Sequence, residues 1–409
     1  MDAYSQIIDF ARAHRGEDPV QLLLQQQRYP ATDLRLVAQQ LEGMRQAPTK
    51  WPTLARHDNY FYPPRSNREQ SSSEATALYK TQLFHALGCS TFADLTGGMG
   101  VDTYFLSKEA SQGNYFEVDK DLFLITQRNL ASLGANNIIC RNGDSLSYFN
   151  THDCHFDLLL IDPARRDPHG RKMAAFEDCT PNLLECLELL RPRCRFLMIK
   201  ASPMIDINMA THQLRDVAEV HVVALRNECK EVLFLIPGNE RNSGGKACST
   251  AAAQPKIQCI QLHPAGQSSF GFCRDQEETS VPTLAHTLYD YLYEPNAAIM
   301  KGGGYNLVSS RFNIHKLARN THLYTSDRLV DSFPGRTFQI LQEIPLNAKK
   351  VARHIPERKA HVIVRNYPLT AAELQKRLRI AEGGELYIIA ATFGSTPMGW
   401  LCRKINKTH

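Results

Sequence analysis

The stretch TFADLTGGMG, residues 91–100, which continues VDTYFLSKEASQGNYFEVDKD to residue 121, decides the fold. A short apolar run, Phe92 and Ala93, ends in Asp94; Gly97, Gly98 and Gly100 follow; Val101 to Ala110 reads as a helix; and a second short strand leads to Glu117 and Asp119. Strand, tight turn, helix and strand make a βαβ unit with an acid at the tip of each strand. In such a unit the glycines let the backbone approach a ligand, the helix N-terminus faces it, and an acid about 20 residues on accepts ribose hydroxyls. The segment therefore predicts a nucleoside-bearing cofactor.

The details narrow the choice of cofactor. A dinucleotide fingerprint needs a third glycine, but Thr103 stands three residues beyond Gly100, and no GK[ST] follows to make a Walker loop. What remains is Asp94 directly before the turn, which suits a cationic ligand end far better than a phosphate. S-adenosylmethionine fits, with its positive amino group and sulfonium and a ribose within reach of Glu117. Taken alone, the glycines favour an ordinary strand-to-helix turn in which they serve geometry only. Further signals then follow in order. DKDLFLITQRNLASLG reads as an amphipathic helix closing at Gly134, and NIIC as a third strand before Asn142, Gly143 and Asp144, the last an acid placed to reach an adenine amino group. FDLLLIDPARR is a continuous apolar run, as a strand buried on both faces should be, and it stops at Asp162-Pro163-Ala164-Arg165. RFLMIK, EVHVVAL and EVLFLI supply three more strands, the last two joined by a turn short enough for an antiparallel hairpin.

Asp94-Leu-Thr-Gly-Gly-Met-Gly100, Glu117-Val-Asp119, Asp144 and Asp162-Pro-Ala-Arg165 together resemble the successive motifs of class I S-adenosylmethionine-dependent methyltransferases, most of all the RNA-modifying members whose fourth motif reads DPPR or DPPW. The resemblance covers about residues 81 to 240. EQSSSEATA from Glu69 and a C-terminal THUMP-like module resemble an uncharacterised bacterial family of such proteins. It implies an α/β fold: a Rossmann-like seven-stranded methyltransferase sheet, an N-terminal helical region, and small C-terminal α+β domains, ferredoxin-like and THUMP-like. The expected boundaries are 1–80, 81–240, 257–345 and 346–409. It also implies cofactor contacts from Asp94, Thr96, Gly98, Met99, Gly100, Glu117, Asp119 and Asp144, and an acceptor site built on Asp162, Pro163, Ala164 and Arg165.

Methyl transfer from a sulfonium is an in-line displacement, so the protein mainly aligns the acceptor and stabilises charge. An Asp-Pro turn at a strand end can accept hydrogen bonds from an exocyclic amine and aim its lone pair, which makes Asp162 the acceptor-orienting residue. Arg165 and Arg166 match a substrate phosphate, or else pair with Asp167 or Glu177. Pyrimidine C5 chemistry needs a nucleophilic cysteine. Related enzymes place a Ser-Cys-Asn-Pro motif after the fifth strand, whereas this chain has Lys200-Ala201-Ser202-Pro203. Cys179 and Cys194 lie nearby and read as buried residues. A base nitrogen is the expected acceptor.

Elsewhere the chain reads as a globular protein of 409 residues, 43% hydrophobic and 22% charged, expected in the cytoplasm, without a membrane span or signal pattern. Its 11 cysteines include no CxxC pair, and no His/Cys cluster implies a metal. Residues 1 to about 80 carry helical signals, with Asp18-Pro19 as a helix start. Trp51 to Arg65 should be an extended connection lying over something. Ser71 and Glu74 have capping-box spacing for a helix running into the core. Residues 238 to about 256 read as a loop. KIQCIQL and SFGF read as strands, HTLYDYLYEPNAAIM (286–300) as a helix cut by Pro295, NIHKLA (313–318) as a short helix, FQILQEI as a strand, and Gly302 to Gly304 as a helix-ending turn. Residues 349–409 hold 12 Lys/Arg against 4 Glu, a net +8, and the rest of the chain holds 35 against 38 acids, a net −3. HVIVRNY, AAELQKRLRIA and ELYIIAATF there read as strand, basic helix and strand, with Lys376, Arg377, Arg379, Tyr367 and Tyr387 suited to a nucleic-acid backbone. RNA, tRNA or rRNA, is the expected partner. A methyltransferase for a small molecule or protein, or a non-catalytic cofactor-binding RNA-binding protein, are the alternatives.

Overall fold

The computed structural model describes residues 3–165, 176, 179–180, 183–239, 254–264 and 266–406. The chain divides into two compact units, one of Met1–Glu219 with Lys230–Ala253 and the other of Val220–Cys229 with Gln254–His409. Among the described residues no helix is long and apolar enough to cross a membrane.

The first unit begins with helices Ala3–Ala13, Pro19–Leu23 and Leu34–Lys50. Asp18 caps the second of these by accepting from the Val20 and Gln21 amides, with Pro19 where its missing N–H costs nothing. The aromatic connection lies where its composition demands. Trp51, Tyr60 and Tyr62 are buried in one cluster with Met99, Val101, Tyr104, Phe105 and Tyr115, so it covers the turn and helix that follow β1. Asn129 clamps it by accepting from the Phe61 amide at 3.0 Å and donating to the Phe61 carbonyl at 2.7 Å. Full burial of each large side chain here contributes roughly 2–3 kcal/mol.

The strands are β1 (Thr91–Asp94), β2 (Gln112–Glu117), β3 (Ile138–Asn142), β4 (Phe156–Ile161), β5 (Ala164–Arg165), β6 (Cys179–Thr180), β7 (Cys194–Ala201), β8 (Glu219–Leu225) and β9 (Glu228–Pro237). The sheet of this unit runs β3-β2-β1-β4-β7-β9. Its first five strands are parallel, and β9 is antiparallel to β7. The seventh strand of the expected sheet, β8, leads into β9 through Arg226-Asn227, whose φ values of 53° and 61° are those of a type I′ hairpin turn. Strand order reverses between β1 and β4, because the chain fills β1, β2 and β3 outward and then returns to the other side of β1. A crevice beyond the carboxyl ends of the strands at such a reversal is where α/β sheets hold ligands.

The helix before β1 starts differently from its sequence reading. Ser73, not Ser71, is the cap of helix Glu74–Ala86 and accepts from the Thr76 amide. Glu74 takes no part in a capping box, because its carboxylate accepts from the Thr53 amide and hydroxyl, both at 2.7 Å. Ser72 is thereby left to a different partner. The expected loop at 238–256 lies largely outside the described residues.

In the second unit β10 (Lys256–His263) and β11 (Gly266–Cys273) form an antiparallel hairpin. The remaining strands are β12 (Tyr291–Pro295), β13 (His315–Ala318), β14 (Thr321–Ser326), β15 (Gly335–Glu343), β16 (His361–Arg365), β17 (Leu386–Phe393) and β18 (Thr396–Ile405), in the sheet order β13-β14-β12-β15-β18-β17-β16. Among the described strands of this sheet only β16 and β17 pair in parallel, with helix Ala371–Leu378 as the connection between them, while β17 and β18 form an antiparallel hairpin. Two expected helices are strands. Residues 291–295 form β12, with Leu292 and Tyr293 fully buried, and a helix starts only after Pro295, capped by Asn296. Residues 315–318 form β13, because Asn313 at φ 51° has already ended helix Tyr305–Phe312. Gly303, at φ 84°, closes the helix before it as a cap.

Candidate functional site

The turn after β1 is shaped by contacts on both its faces. A Cβ at Gly97 would lie 2.1 Å from the Tyr115 ring, and one at Gly100 (φ +73°) would lie 2.6 Å from Thr126 Cγ2, so these two glycines let the turn press against β2 and the helix Lys120–Ser132. Gly98 is different: at φ +54° a Cβ there would meet nothing nearer than the Thr96 carbonyl at 3.9 Å, so this backbone borders open space. The Gly98 amide donates to Glu117 Oε2 at 3.0 Å, and its carbonyl accepts from the Tyr115 and Thr126 hydroxyls. Glu117 Oε1 accepts from the Asp119 amide at 2.8 Å, and the Glu117 carbonyl accepts from Asn142 Nδ2 and the Gly143 amide. Burial raises the Glu117 carboxyl above its usual range, and the donated amides work against that shift.

Asp94 is buried. Its Oδ2 accepts from the Thr103 hydroxyl at 2.7 Å, and burial pushes its carboxyl up to about 7 against the pull of that bond, with Asp102 adding to the rise. The Thr96 hydroxyl accepts from the Asp162 amide at 2.7 Å and so ties the tip of β1 to the tip of β4. The structure thus joins Asp94, Thr96, Gly98, Glu117 and Asp162 around the ends of three adjacent strands. Three expected residues have their side chains engaged elsewhere. Met99 packs its side chain into the aromatic cluster, leaving only its backbone for a ligand. Asp119 and Asp144 cap the helices Lys120–Ser132 and Ser145–Thr151 with their side chains, and both are exposed. Pro163 is buried beside Asp162. For Ala164–Arg165 the backbone is described, as β5 paired with β6, and the phosphate role expected of Arg165 and Arg166 rests on side chains outside those described. Cys194 is buried, its thiol pushed up to about 12 by burial, and the Cys179 side chain lies outside the described residues.

Behind Asp162 lies an ionic cluster that sequence reasoning missed. Lys200 Nζ, at the end of β7, is 2.5 Å from Asp162 Oδ2. Lys80, wholly buried in the helix before β1, has its Nζ 2.6 Å from Glu231 Oε1 on β9 and 3.2 Å from Asp102 Oδ1. Ser72 donates to Asp102 Oδ2 at 2.7 Å and accepts from Lys80 at 3.3 Å and from Lys200 at 3.5 Å. Burial works to lower Lys200, but the carboxylates of Asp162, Asp102 and Glu231 outweigh it and hold its ammonium well above the usual lysine range. Three carboxylates therefore surround two ammonium groups. The available signal was a lysine closing the apolar run RFLMIK, since lysine is almost never fully buried without a partner.

In the second unit a cleft of about 420 Å³ is lined by Arg336, His361, Arg365, Thr370, Glu382 and Tyr387 among others. The His361 and Tyr387 rings lie 4.8 Å apart, and Glu294, buried below, pairs with both Arg336 and Arg365. Among the described residues no group of three His, Cys, Asp or Glu side chains is arranged to hold a metal.

Comparison with known proteins agrees with this architecture. Residues 291–334 match a ferredoxin-like domain model and residues 335–404 a THUMP domain-like model. A candidate methyltransferase from Porphyromonas gingivalis W83 superposes with a TM-score of 0.84 at 29% identity, over 98% of both chains. A candidate methyltransferase from Streptococcus mutans in complex with SAH matches 39% of this chain and 97% of its own, at 16% identity and a TM-score of 0.29. A candidate rRNA methylase from Clostridium thermocellum matches 39% of this chain and 96% of its own, at 12% identity and a TM-score of 0.30. No curated protein matches the chain.

Proposed function

We propose that this chain, a class I methyltransferase-fold protein carrying ferredoxin-like and THUMP-like modules at its C-terminus, transfers a methyl group from S-adenosylmethionine to structured RNA. The observation that supports the reading is the bonding of Gly98 to Glu117 and of Thr96 to Asp162, which ties two acids to one turn at the switch point of the sheet.

The residues fit the cofactor. Gly98 leaves open space beside a half-buried stretch of backbone, Glu117 is a half-buried acceptor, and Asp94 offers negative charge beneath the turn. When bound, S-adenosylmethionine supplies an electrophilic methyl group on a sulfonium. Glu117 holds the ribose hydroxyls, Asp94 attracts the cationic end through the turn, and the bound Thr96 hydroxyl keeps Asp162 at a fixed distance from both. Asp162 orients the acceptor, and Pro163 shapes the turn that carries it. Burial excludes water from the cluster behind Asp162, so its charges act at low screening. RNA as substrate is supported by the net +8 of residues 349–409 and by the match to a THUMP-like module.

The test is transfer of radiolabelled methyl from S-adenosylmethionine into undermethylated tRNA, rRNA fragments and total protein, beside an Asp162→Ala variant. Label in one RNA class, lost in the variant, is the expected result. Label in protein alone, or in nothing despite cofactor binding, would contradict it.

A further inference from the structure

We infer that the acceptor atom is a hydroxyl oxygen of RNA, the ribose 2′-OH, with Asp162 and Lys200 as its catalytic pair. This rests on the methyltransferase reading above and replaces the base nitrogen expected from the sequence. The geometry that carries it is the 2.5 Å contact of Lys200 Nζ with Asp162 Oδ2. Asp162 is 42% exposed and Lys200 11%, so the carboxylate faces the crevice with the ammonium directly behind it. Asp162 Oδ1 has no partner among the described residues.

The two kinds of acceptor ask for opposite charges. An exocyclic amine attacks as a neutral lone pair and becomes positive as its bond to carbon forms. A fixed ammonium beside it opposes that step, and the carboxylate has already committed one oxygen to Lys200. A hydroxyl is a poor nucleophile until its proton is loosened. It requires a carboxylate to receive the proton and a cation to hold the oxygen as it becomes negative, and both stand here within one contact. In RNA the hydroxyl that every internal nucleotide offers is the 2′-OH. The second ion pair, Lys80 with Glu231 and Asp102, is tied through Ser72 to Lys200 and holds its ammonium in place. In the step, the ribose oxygen forms a bond to the methyl carbon as the sulfur–methyl bond breaks. The electron pair of that bond returns to sulfur, leaving a neutral thioether, and the hydroxyl proton moves to Asp162 Oδ1 and then to solvent.

The test starts from RNA labelled by the wild-type protein and hydrolyses it with alkali. A 2′-O-methyl group blocks cleavage of the adjacent phosphodiester, so the expected label is in alkali-resistant dinucleotides. Label released as mononucleotides would place the methyl on a base and overturn this inference while leaving the RNA methyltransferase reading intact; absence of label in any RNA would overturn both. A Lys200→Met variant is expected to lose roughly a hundredfold or more in rate. By calorimetry it should keep the wild-type affinity for S-adenosylhomocysteine and for unmodified RNA. Lys200→Arg, which retains charge but not the short contact, should be intermediate. Wild-type rates in Lys200→Met would refute the role of the pair.

Discussion

Lys80→Met should be among the most destabilising single substitutions in the first unit. The Lys80 side chain is 0% exposed, with Nζ 2.6 Å from Glu231 and 3.2 Å from Asp102. Methionine fills a similar volume, so little of the loss comes from a cavity. The cost comes from leaving Glu231, 5% exposed, without its nearest cation. Removing one partner of a buried pair costs about 3–5 kcal/mol. The protein has two tryptophans, and Trp51 is buried in the first unit, its indole N–H donating to the Ser72 carbonyl at 2.8 Å. Denaturation followed by Trp51 fluorescence in a Trp400→Phe background therefore reports this unit. The double variant Lys80→Met/Glu231→Leu should regain most of the loss, since an apolar pair satisfies the same space. A loss below about 1 kcal/mol in the single variant, or a double variant that loses the sum of both singles, would refute the view of this pair as a coupled buried unit.

Other consequences are open to measurement. Gly98→Ala should cost only about 1–2 kcal/mol, the price of its left-handed backbone, yet weaken S-adenosylmethionine binding at least tenfold by putting a methyl into the open space; equal affinity by calorimetry would remove the cofactor from this turn. Because burial lifts Asp94 from 3.8 to about 7, the folded protein keeps a proton that the unfolded chain gives up. Its contribution is full below about pH 4 and is lost as pH rises to about 7, on the order of 4 kcal/mol, and Asp94→Asn should flatten that part of the stability profile. Cofactor binding should tighten over the same range as Asp94 ionises, and titrations at pH 6 and pH 8 check this. Lys376, Arg377 and Arg379 are exposed on and beside helix Ala371–Leu378. Their triple replacement by Gln should weaken RNA binding and reduce its salt slope by roughly 0.7–0.9 per lost phosphate contact, and an unchanged slope would place the RNA elsewhere.

The βαβ unit was legible because its constraints are local. Asp94 and Glu117 end the two neighbouring strands of one βαβ unit, with Gly98 in the turn between them 19 residues before Glu117, and no residue but glycine fits where Tyr115 presses on Gly97. The ionic cluster was not legible, because Lys80 and Glu231 are 151 residues apart and only the sheet order brings them together. The cap expected at Ser71 falls to Ser73, and Ser72, which carried no signal of its own, reaches Asp102 instead. In the second unit the aromatic residues around Tyr291 suit a helix or a strand equally, and β12 exists because β14 and β15 flank it. His315–Ala318 depends in the same way on β14.

The most direct test of the cofactor site is a calorimetric titration of S-adenosylhomocysteine into the full chain and into Glu117→Ala, with NAD as the comparison ligand. One equivalent bound by the wild type, at least tenfold weaker in the variant, and no binding of NAD is the expected result. Failure of S-adenosylhomocysteine to bind, or equal binding by both proteins, would contradict a methyl donor held on the turn between β1 and Gly100.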